Sequence, residues 1–385
     1  VIRVFRYRLY PTRAQEATMR GTLELLRELY NASLQERIAA YRAGVKVTCY
    51  SQMGDLPEVK AMRPEFANIY AQVLQDVLKR LEKSYRAFFR RVKAKKKAGF
   101  PRFKGPGRYR TFTFPQAGKG GAVLCAGGKR VRIHGIGNVK IRIHRPIEGR
   151  IKTASVTLSG DGHWYIAFAC DNVPSKPAAS TGQSVGIDVG IATFAALSNG
   201  EMVANPRFFE TAQREIVIAQ RRVARRKRGS RRRRKAVELL AKRYDKIRRT
   251  RLDFQHKVAL GLAQRFDSIA VEKLNVAGLA RGRLAKQVLD ASWSQFTTIL
   301  KAKAESAGRD FFEVDPRGTS QRCSGCDTVV RKDLGTRVHD CPHCGLVEDR
   351  DVNAANNIKR LGQSRRGGAA AQELAGDPRS HGAAP

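Results

Sequence analysis

The sequence predicts an α+β protein of several domains. A β-rich first half is interrupted by a helical segment, and a mixed α/β half follows with a small cysteine-bearing insertion. Three observations carry this expectation. The 385 residues exceed what one compact core accommodates. Apolar residues recur with period two across residues 123–170 but with helical spacing before residue 95. After residue 183, short apolar runs alternate with helical stretches, as mixed α/β domains do.

Residues 1–10 alternate apolar and basic side chains like a strand and lack the apolar core of a secretory leader. The absent initiator Met reads as a lost or alternative start. Thr12 is placed to cap a following helix, with Gln15 three residues on to close a capping box. Leu23, Leu26, Tyr30 and Leu34 keep helical spacing until Gly44. A second helix carries Tyr70, Val73, Leu74, Val77, Leu78, Leu81, Tyr85 and Phe88 on one face, the core stripe of a helical hairpin. Gly and Pro end helicity across residues 95–105. Basic residues Lys95, Lys96, Lys97 and Arg102 interleave here with Phe100 and Phe103, and the aromatics continue through Tyr109, Phe112 and Phe114. That mixture suits phosphate contact with base stacking, and it suits nearly as well a loop that packs its aromatics on a core.

Val131, Ile133, Val139, Ile141, Ile143, Val156, Leu158, Trp164, Ile166 and Phe168 predict a small antiparallel sheet or barrel. Arg130, Arg132, Lys140 and Arg142 face outward on it. Residues 173–182 read as a linker. Beyond it, strands are expected at 184–188, 268–272 and 310–314, with a hairpin turning at Asn199-Gly200. Long helices are expected over 206–266, then helices at 292–306 and 351–361. Residues 363–385, rich in Gly, Ala and Arg, read as a disordered tail.

Charge narrows the function. Lys and Arg number 74 against 34 Asp and Glu, a formal net charge of +40. Such an excess destabilises a fold through self-repulsion unless a polyanion offsets it, and nucleic acid is the usual partner. Residues 221–235 contain 11 Arg or Lys in 15 positions. Like charges this dense disfavour a free helix, so Arg225, Arg226, Lys227, Arg228, Arg231, Arg232, Arg233 and Arg234 are candidate backbone contacts. The stretch has almost no apolar residues, which argues against a membrane-surface helix. No apolar run approaches a membrane span.

Three acids sit at telling places. Asp188 ends the strand Val185-Gly186-Ile187, Glu272 ends Ile269-Ala270-Val271, and Asp351 opens a helix. A carboxylate at a buried strand end is costly unless it is paired or metal-bound. Each acid alone has a structural explanation: a turn cap, a pair with Lys273, a favourable helix-start charge. Together they follow the order strand–Asp–hairpin, strand–Glu, helix–Asp of the RNase H/RuvC nuclease fold. Three such carboxylates suit Mg²⁺ or Mn²⁺. Two ions roughly 4 Å apart can activate water and stabilise the leaving oxygen in phosphodiester cleavage.

Cys323-x₂-Cys326-x₁₄-Cys341-x₂-Cys344 has the paired spacing of a tetrahedral four-thiolate Zn²⁺ site, structural because no ligand position stays open. His339 and His343 are the alternative ligands, with solvent-facing roles expected. The other cysteines, Cys49, Cys125 and Cys170, are scattered, and an odd total with paired spacing points to a reducing, cytoplasmic setting.

These motifs resemble the TnpB family, nucleases encoded by bacterial insertion sequences, and the compact type V CRISPR effectors related to it. The matching stretches include Gly186-Ile187-Asp188-Val189-Gly190, Val271-Glu272-Lys273-Leu274, Leu289-Asp290-Ala291-Ser292-Trp293-Ser294-Gln295-Phe296, Thr319-Ser320-Gln321-Arg322-Cys323 and Asp349-Arg350-Asp351-Val352-Asn353. Arg8-Leu9-Tyr10-Pro11-Thr12 and Lys97-Ala98-Gly99-Phe100-Pro101 match as well, so the resemblance covers about residues 1–362. It implies a split β-barrel wedge (1–10 and 99–172) around a helical recognition domain (11–98). A RuvC-like domain (183–362) would follow, with a zinc ribbon inserted at about 317–348. It further implies a guide RNA and double-stranded target DNA cut beside a short adjacent motif; a cytoplasmic, nucleoid-associated protein is expected, a monomer on its RNA, though the sequence does not decide between monomer and dimer. Asp188, Glu272 and Asp351 fall on the family's catalytic acids; Arg350 would support the scissile phosphate, and Tyr50 and Gln75 would read the adjacent motif. Asp327 stands where many relatives have Gly. Charge and cysteines fit equally a guided DNA-binding regulator or RNA-packing factor without cleavage, over which the three placed acids favour the nuclease; a transposase would use the same acids, and the fold alone does not decide between those two.

Overall fold

The alternation at the N-terminus folds as β1 (Arg3–Tyr10), whose alternate residues Phe5, Tyr7 and Leu9 are buried. The computed structural model describes residues 2–374 except 119, 126 and 334. It divides after Pro174 into two units.

In the first unit, α1 (Arg13–Arg42) starts at Thr12 with the predicted capping box and ends before Gly44, whose φ is 71°. Two short helices follow, α2 (Cys49–Gly54) and α3 (Leu56–Met62), which the apolar spacing does not reveal. The predicted stripe forms α4 (Ala71–Lys93), burying Val73, Leu74, Val77, Leu78 and Leu81. Its C-terminus has an unusual residue. Lys95 is left-handed, with φ 51°, while the Lys95 and Lys96 amides donate back to Val92 and Arg91 O at 2.9 Å each. This is a Schellman cap with lysine at the position usually given to glycine.

Six more strands join β1: β2 (Thr111–Phe114), β3 (Ala122–Leu124), β4 (Arg130–Ile133), β5 (Gly137–Arg142), β6 (Arg150–Leu158) and β7 (Trp164–Asp171). Their order, β2-β6-β7-β1-β5-β4-β3, gives a nearly closed, barrel-like sheet. A Cβ on Gly121, just before β3, would lie 2.6 Å from the Phe114 ring at the end of β2, so the two edges meet. The stretch expected to be a basic–aromatic loop thus supplies a strand. Tyr109, Phe112 and Phe114 are buried, so core packing is their role, and they are not stacking surfaces. Helices and sheet share one core, in which Leu26, Leu74 and Leu78 join Phe112, Val131 and Phe168. The outward basic residues of β4 and β5 are exposed as expected.

The second unit contains β8 (Ser184–Asp188), β9 (Thr193–Leu197) and β10 (Met202–Ala204), with the predicted turn at Gly200 (φ 87°). Helices α5 (Phe208–Ala224) and α6 (Arg231–Arg265) follow, then β11 (Ser268–Glu272), α7 (Val276–Leu279), α8 (Ala285–Ala291), α9 (Trp293–Ser306) and β12 (Asp310–Val314). The hairpin β13 (Val338–Asp340) and β14 (Val347–Asp349) leads into α10 (Arg350–Leu374). The five-stranded sheet runs β10-β9-β8-β11-β12, with β8, β10, β11 and β12 pointing one way and β9 alone antiparallel to them. Both parallel steps cross over through helices.

Two expectations need correction. Helix α10 does not stop near residue 361, so residues 363–374 of the expected disordered tail are helical; the alanines 369–371 favour that conformation. Residues 375–385 lie outside the described residues. The expected linker is also mostly fixed. Val173 is buried in the first core. Asp267 accepts hydrogen bonds from Ser180 Oγ at 2.5 Å, the Thr181 amide at 2.9 Å and the Gly182 amide at 2.7 Å. Arg309, nearly fully buried, pairs with Asp267 and donates to Ala179 O at 2.7 Å.

Candidate active site and metal centre

Strand register builds the acidic site. Val271 pairs with Ile187 across parallel strands, so Glu272 and Asp188 end neighbouring strands on the same side of the sheet. Helix α10 lies against β8 and β11 and brings Asp351 in its first turn. The approach is very close. A Cβ on Gly186 would lie 2.0 Å from Ala355 O and 2.4 Å from Lys359 N, and one on Gly362 would lie 2.5 Å from Ala270 Cβ. Asp349 caps the helix, its Oδ1 accepting from the Asp351 amide at 2.8 Å and the Val352 amide at 3.3 Å.

The Asp188 carboxyl feels both of the other acids. Burial pushes Asp188 up to about 8, and the charges of Glu272 and Asp351 push the same way; Arg350 and the Val189 amide oppose them. Burial also raises Glu272, against a hydrogen bond from Thr319 Oγ1 to its Oε1 at 2.5 Å. Arg350 Nε lies 3.2 Å from Asp351 Oδ1, and Arg337 Nη1 lies 3.9 Å from Oδ2. Oxygen donors of this kind, two of them desolvated and Asp188 repelled by both neighbours, are what a hard divalent cation such as Mg²⁺ or Mn²⁺ fits. The three acids do not gather as tightly as the cysteines do: among the described residues, only Cys323, Cys326, Cys341 and Cys344 place all ligand atoms within 4.8 Å of one another.

In that cluster the Cys323–Cys344 and Cys326–Cys341 sulfurs are 3.5 and 3.6 Å apart. Tetrahedral Zn²⁺ with Zn–S near 2.3 Å demands S···S of about 3.8 Å, so the sulfurs fit that ion. Thr328 holds Cys326 down to about 6, whereas at Cys344 the Leu346 amide, which favours the thiolate, is outweighed by Cys323, Cys326, burial and Cys341 together, and the thiol is pushed up to about 12. Four thiolates this close therefore call for a cation. His339 is fully buried beside Lys332, which corrects its expected exposure, while His343 is exposed. Neither belongs to the ligand group. Asp327 takes the left-handed conformation (φ 63°), which explains why glycine suits this turn. Its carboxylate pairs with Arg322 at 3.3 Å and with Arg360.

The basic residues separate into two kinds. Arg225, Arg226, Lys227 and Arg228 form the exposed turn between α5 and α6, and Arg231, Arg232 and Arg234 are exposed on α6. Arg233 is instead half-buried, donating to Val223 O at 2.8 Å and Arg226 O at 3.1 Å to close the end of α5. In the first unit Lys95, Lys96, Lys97 and Arg102 are exposed near Phe89, Phe100 and Phe103, which are 60%, 47% and 52% exposed. Tyr50, 81% exposed on α2, and half-buried Gln75 lie on helices packed against each other.

Sequence reasoning missed Thr319, Arg337, Asp290 and Arg251. Asp290 accepts from Arg251 Nη2 at 2.7 Å and from the Phe209 amide at 2.9 Å, tying α5, α6 and α8 together. The signal was available, because Asp290 and Thr319 both lie in the motifs that carry the family resemblance.

Three family models match the chain: a "Probable transposase" family over residues 167–283, a "Cas12f1-like, TNB domain" over 293–358 and a "Helix-turn-helix domain" over 1–46. Over the last range the structure has one strand and one 30-residue helix. A Streptomyces pristinaespiralis protein named "Putative RNA-guided DNA endonuclease" is 31% identical over 94% of this chain and 90% of its own length. The Escherichia coli K12 protein named "Putative RNA-guided DNA endonuclease InsQ" is 29% identical over 94% of this chain and 93% of its own. Among solved structures, the mini-RNA-guided endonuclease CRISPR-Cas_phi3 covers 94% of this chain and 92% of its own, with a TM-score of 0.50 at 10% identity. That last likeness concerns the fold alone. No helix among the described residues is long and apolar enough to cross a membrane.

Proposed function

The chain belongs to the TnpB family, and from that membership we propose that it is an RNA-guided DNA endonuclease whose second unit is a RuvC-like nuclease domain. Its partners are a guide RNA and a double-stranded target cut beside a short adjacent motif. The observation that carries the reading is the placement of Asp188 and Glu272 on adjacent parallel strand ends, with Asp351 charge-coupled to Asp188 from α10. The order β10-β9-β8-β11-β12, in which β9 alone runs against the other four strands, supports the RNase H-like assignment.

Asp188, Glu272 and Asp351 would hold Mg²⁺ or Mn²⁺, and Arg350, beside Asp351, would support the scissile phosphate. When bound, the divalent ions would lower the pKa of the attacking water and stabilise the leaving oxygen. The cysteine cluster would hold Zn²⁺ as a structural brace. The exposed basic turn at 225–228 and the patch around Lys95–Lys97 and Arg102 would track nucleic-acid backbone, with Phe89, Phe100 and Phe103 available for stacking. Tyr50 and Gln75 would contribute to reading the adjacent motif. Base pairing to the guide would then select the target.

The test has two stages. RNA co-purifying with the protein from its native locus is sequenced, and a duplex matching that RNA is then offered with Mg²⁺. Wild type cuts it to a 5′-phosphate and a free 3′-hydroxyl, and Asp188→Ala does not. Joined DNA ends would indicate strand transfer. Guided binding without cutting would indicate a regulator.

A further inference from the structure

We infer that Thr319 is a positioning residue for Glu272, through which the cysteine module braces the acidic site; this rests on the reading of Asp188, Glu272 and Asp351 as the metal-binding acids. Thr319 is 2% exposed and stands four residues before Cys323. Its hydroxyl has one proton and two acceptors in reach, Glu272 Oε1 at 2.5 Å and Pro316 O at 3.0 Å. The shorter contact, to Glu272, takes the proton.

The loop carrying Thr319 is fixed from the other side by α10. Asn357 Nδ2 donates to Thr319 O at 2.9 Å and to Arg322 O at 2.8 Å. Asn353 Nδ2 donates to Arg322 O at 2.8 Å, and its Oδ1 accepts from the Ser324 amide at 2.8 Å. Both asparagines are buried. The segment from Thr319 to Ser324 therefore touches Glu272 at one end, enters the cysteine cluster at the other, and is bonded along its length to the helix that carries Asp351. The module reaches that third acid too, because the Arg350 amide donates to Arg337 O at 2.8 Å.

Without the Thr319 hydroxyl, Glu272 Oε1 loses its donor, and the carboxylate is free to rotate away from the orientation a metal requires. Groups that orient metal ligands in this way typically change affinity by about 10-fold to 100-fold when removed.

The experiment uses the full chain and Mn²⁺ alone, with free Mn²⁺ followed by electron paramagnetic resonance. Wild type is compared with Thr319→Val, which keeps shape and loses the donor, and Thr319→Ser, which keeps the donor. Zinc content and melting temperature are measured on each. The expected result is Mn²⁺ affinity weakened about 10-fold or more in Thr319→Val, near wild type in Thr319→Ser, with zinc content equal in all three. Equal affinity in wild type and Thr319→Val overturns the inference. So does an equal loss in Ser and Val, which assigns the effect to packing. Should Thr319→Val lose zinc or fail to fold, Thr319→Ala against Thr319→Ser makes the same comparison. Glu272→Gln separates the two levels: if it leaves Mn²⁺ affinity unchanged, the acid assignment itself is wrong.

Discussion

Replacing Asp188 with asparagine should stabilise the metal-free protein, increasingly so as pH rises. Burial and two neighbouring carboxylates raise Asp188 from the ordinary 3.8 to about 8 in the folded state. A raised carboxyl contributes its full stability below the unfolded value and loses it as pH climbs to the folded one. At about 1.4 kcal/mol per pH unit, ionisation is opposed across the roughly three units between the unfolded value and pH 7, costing about 4 kcal/mol there and about 1 kcal/mol at pH 4.5. Asparagine keeps the shape and removes the titration. For a unit of roughly 200 residues, the difference of about 3 kcal/mol amounts to a melting shift on the order of 10 °C. The assay is a set of melts of wild type and Asp188→Asn in buffers freed of Mg²⁺ by ion-exchange resin, so that zinc is retained, from pH 4.5 to 8. The gain of the variant over wild type should grow with pH, and added Mg²⁺ should close it by stabilising wild type alone. A gain that stays constant across the range would refute the electrostatic account of the site.

Gly186→Ala should cost about 3 kcal/mol or more, because its Cβ would meet the α10 backbone at 2.0 Å; melts and cleavage should both show it, since α10 carries Asp351. Asp267 is held well below the usual carboxylate range by Ser180 and by the Thr181 and Gly182 amides. Its contribution is present at neutral pH and fades as pH falls through that low range, so Asp267→Asn should melt lower than wild type at pH 7, with the gap narrowing in acid. Changing Arg225, Arg226, Lys227 and Arg228 together to serine should leave folding intact and flatten the slope of log affinity for duplex DNA against log salt by up to about 3.6. Lys95→Gly should raise stability by about 1 kcal/mol by relieving a left-handed lysine (φ 51°), while weakening nucleic-acid binding through the lost charge.

Features set by local chemistry were legible in the sequence. The Thr12–Gln15 box, the stop at Gly44 and the turn at Gly200 each depend on a few adjacent residues. The ends of β8 and β11 were legible because an acid closing an apolar run is conspicuous, and the four cysteines because their spacing is itself the signal. What escaped depends on residues far apart. Tyr109, Phe112 and Phe114 look the same whether they stack on bases or complete a core, and only the pairing of β2 with β6 decides. His339 reads as polar, yet the hairpin of β13 and β14 turns it inward. The role of Gly186 is set by a helix that begins 164 positions later. Thr319 meets its partner 47 residues away.

The last helix has a consequence for synthesis. Asp351, Asn353, Asn357 and Gly362 all lie on α10, so the ribosome delivers the third acid and both asparagine braces after everything else in the site. A nascent chain halted before residue 351 already has the first unit, the basic turn and all four cysteines. It would lack the third acid, the two asparagines that hold the segment from Thr319 to Ser324, and the helix that packs on β8 and β11. Premature termination there would release a chain whose acidic site cannot be completed.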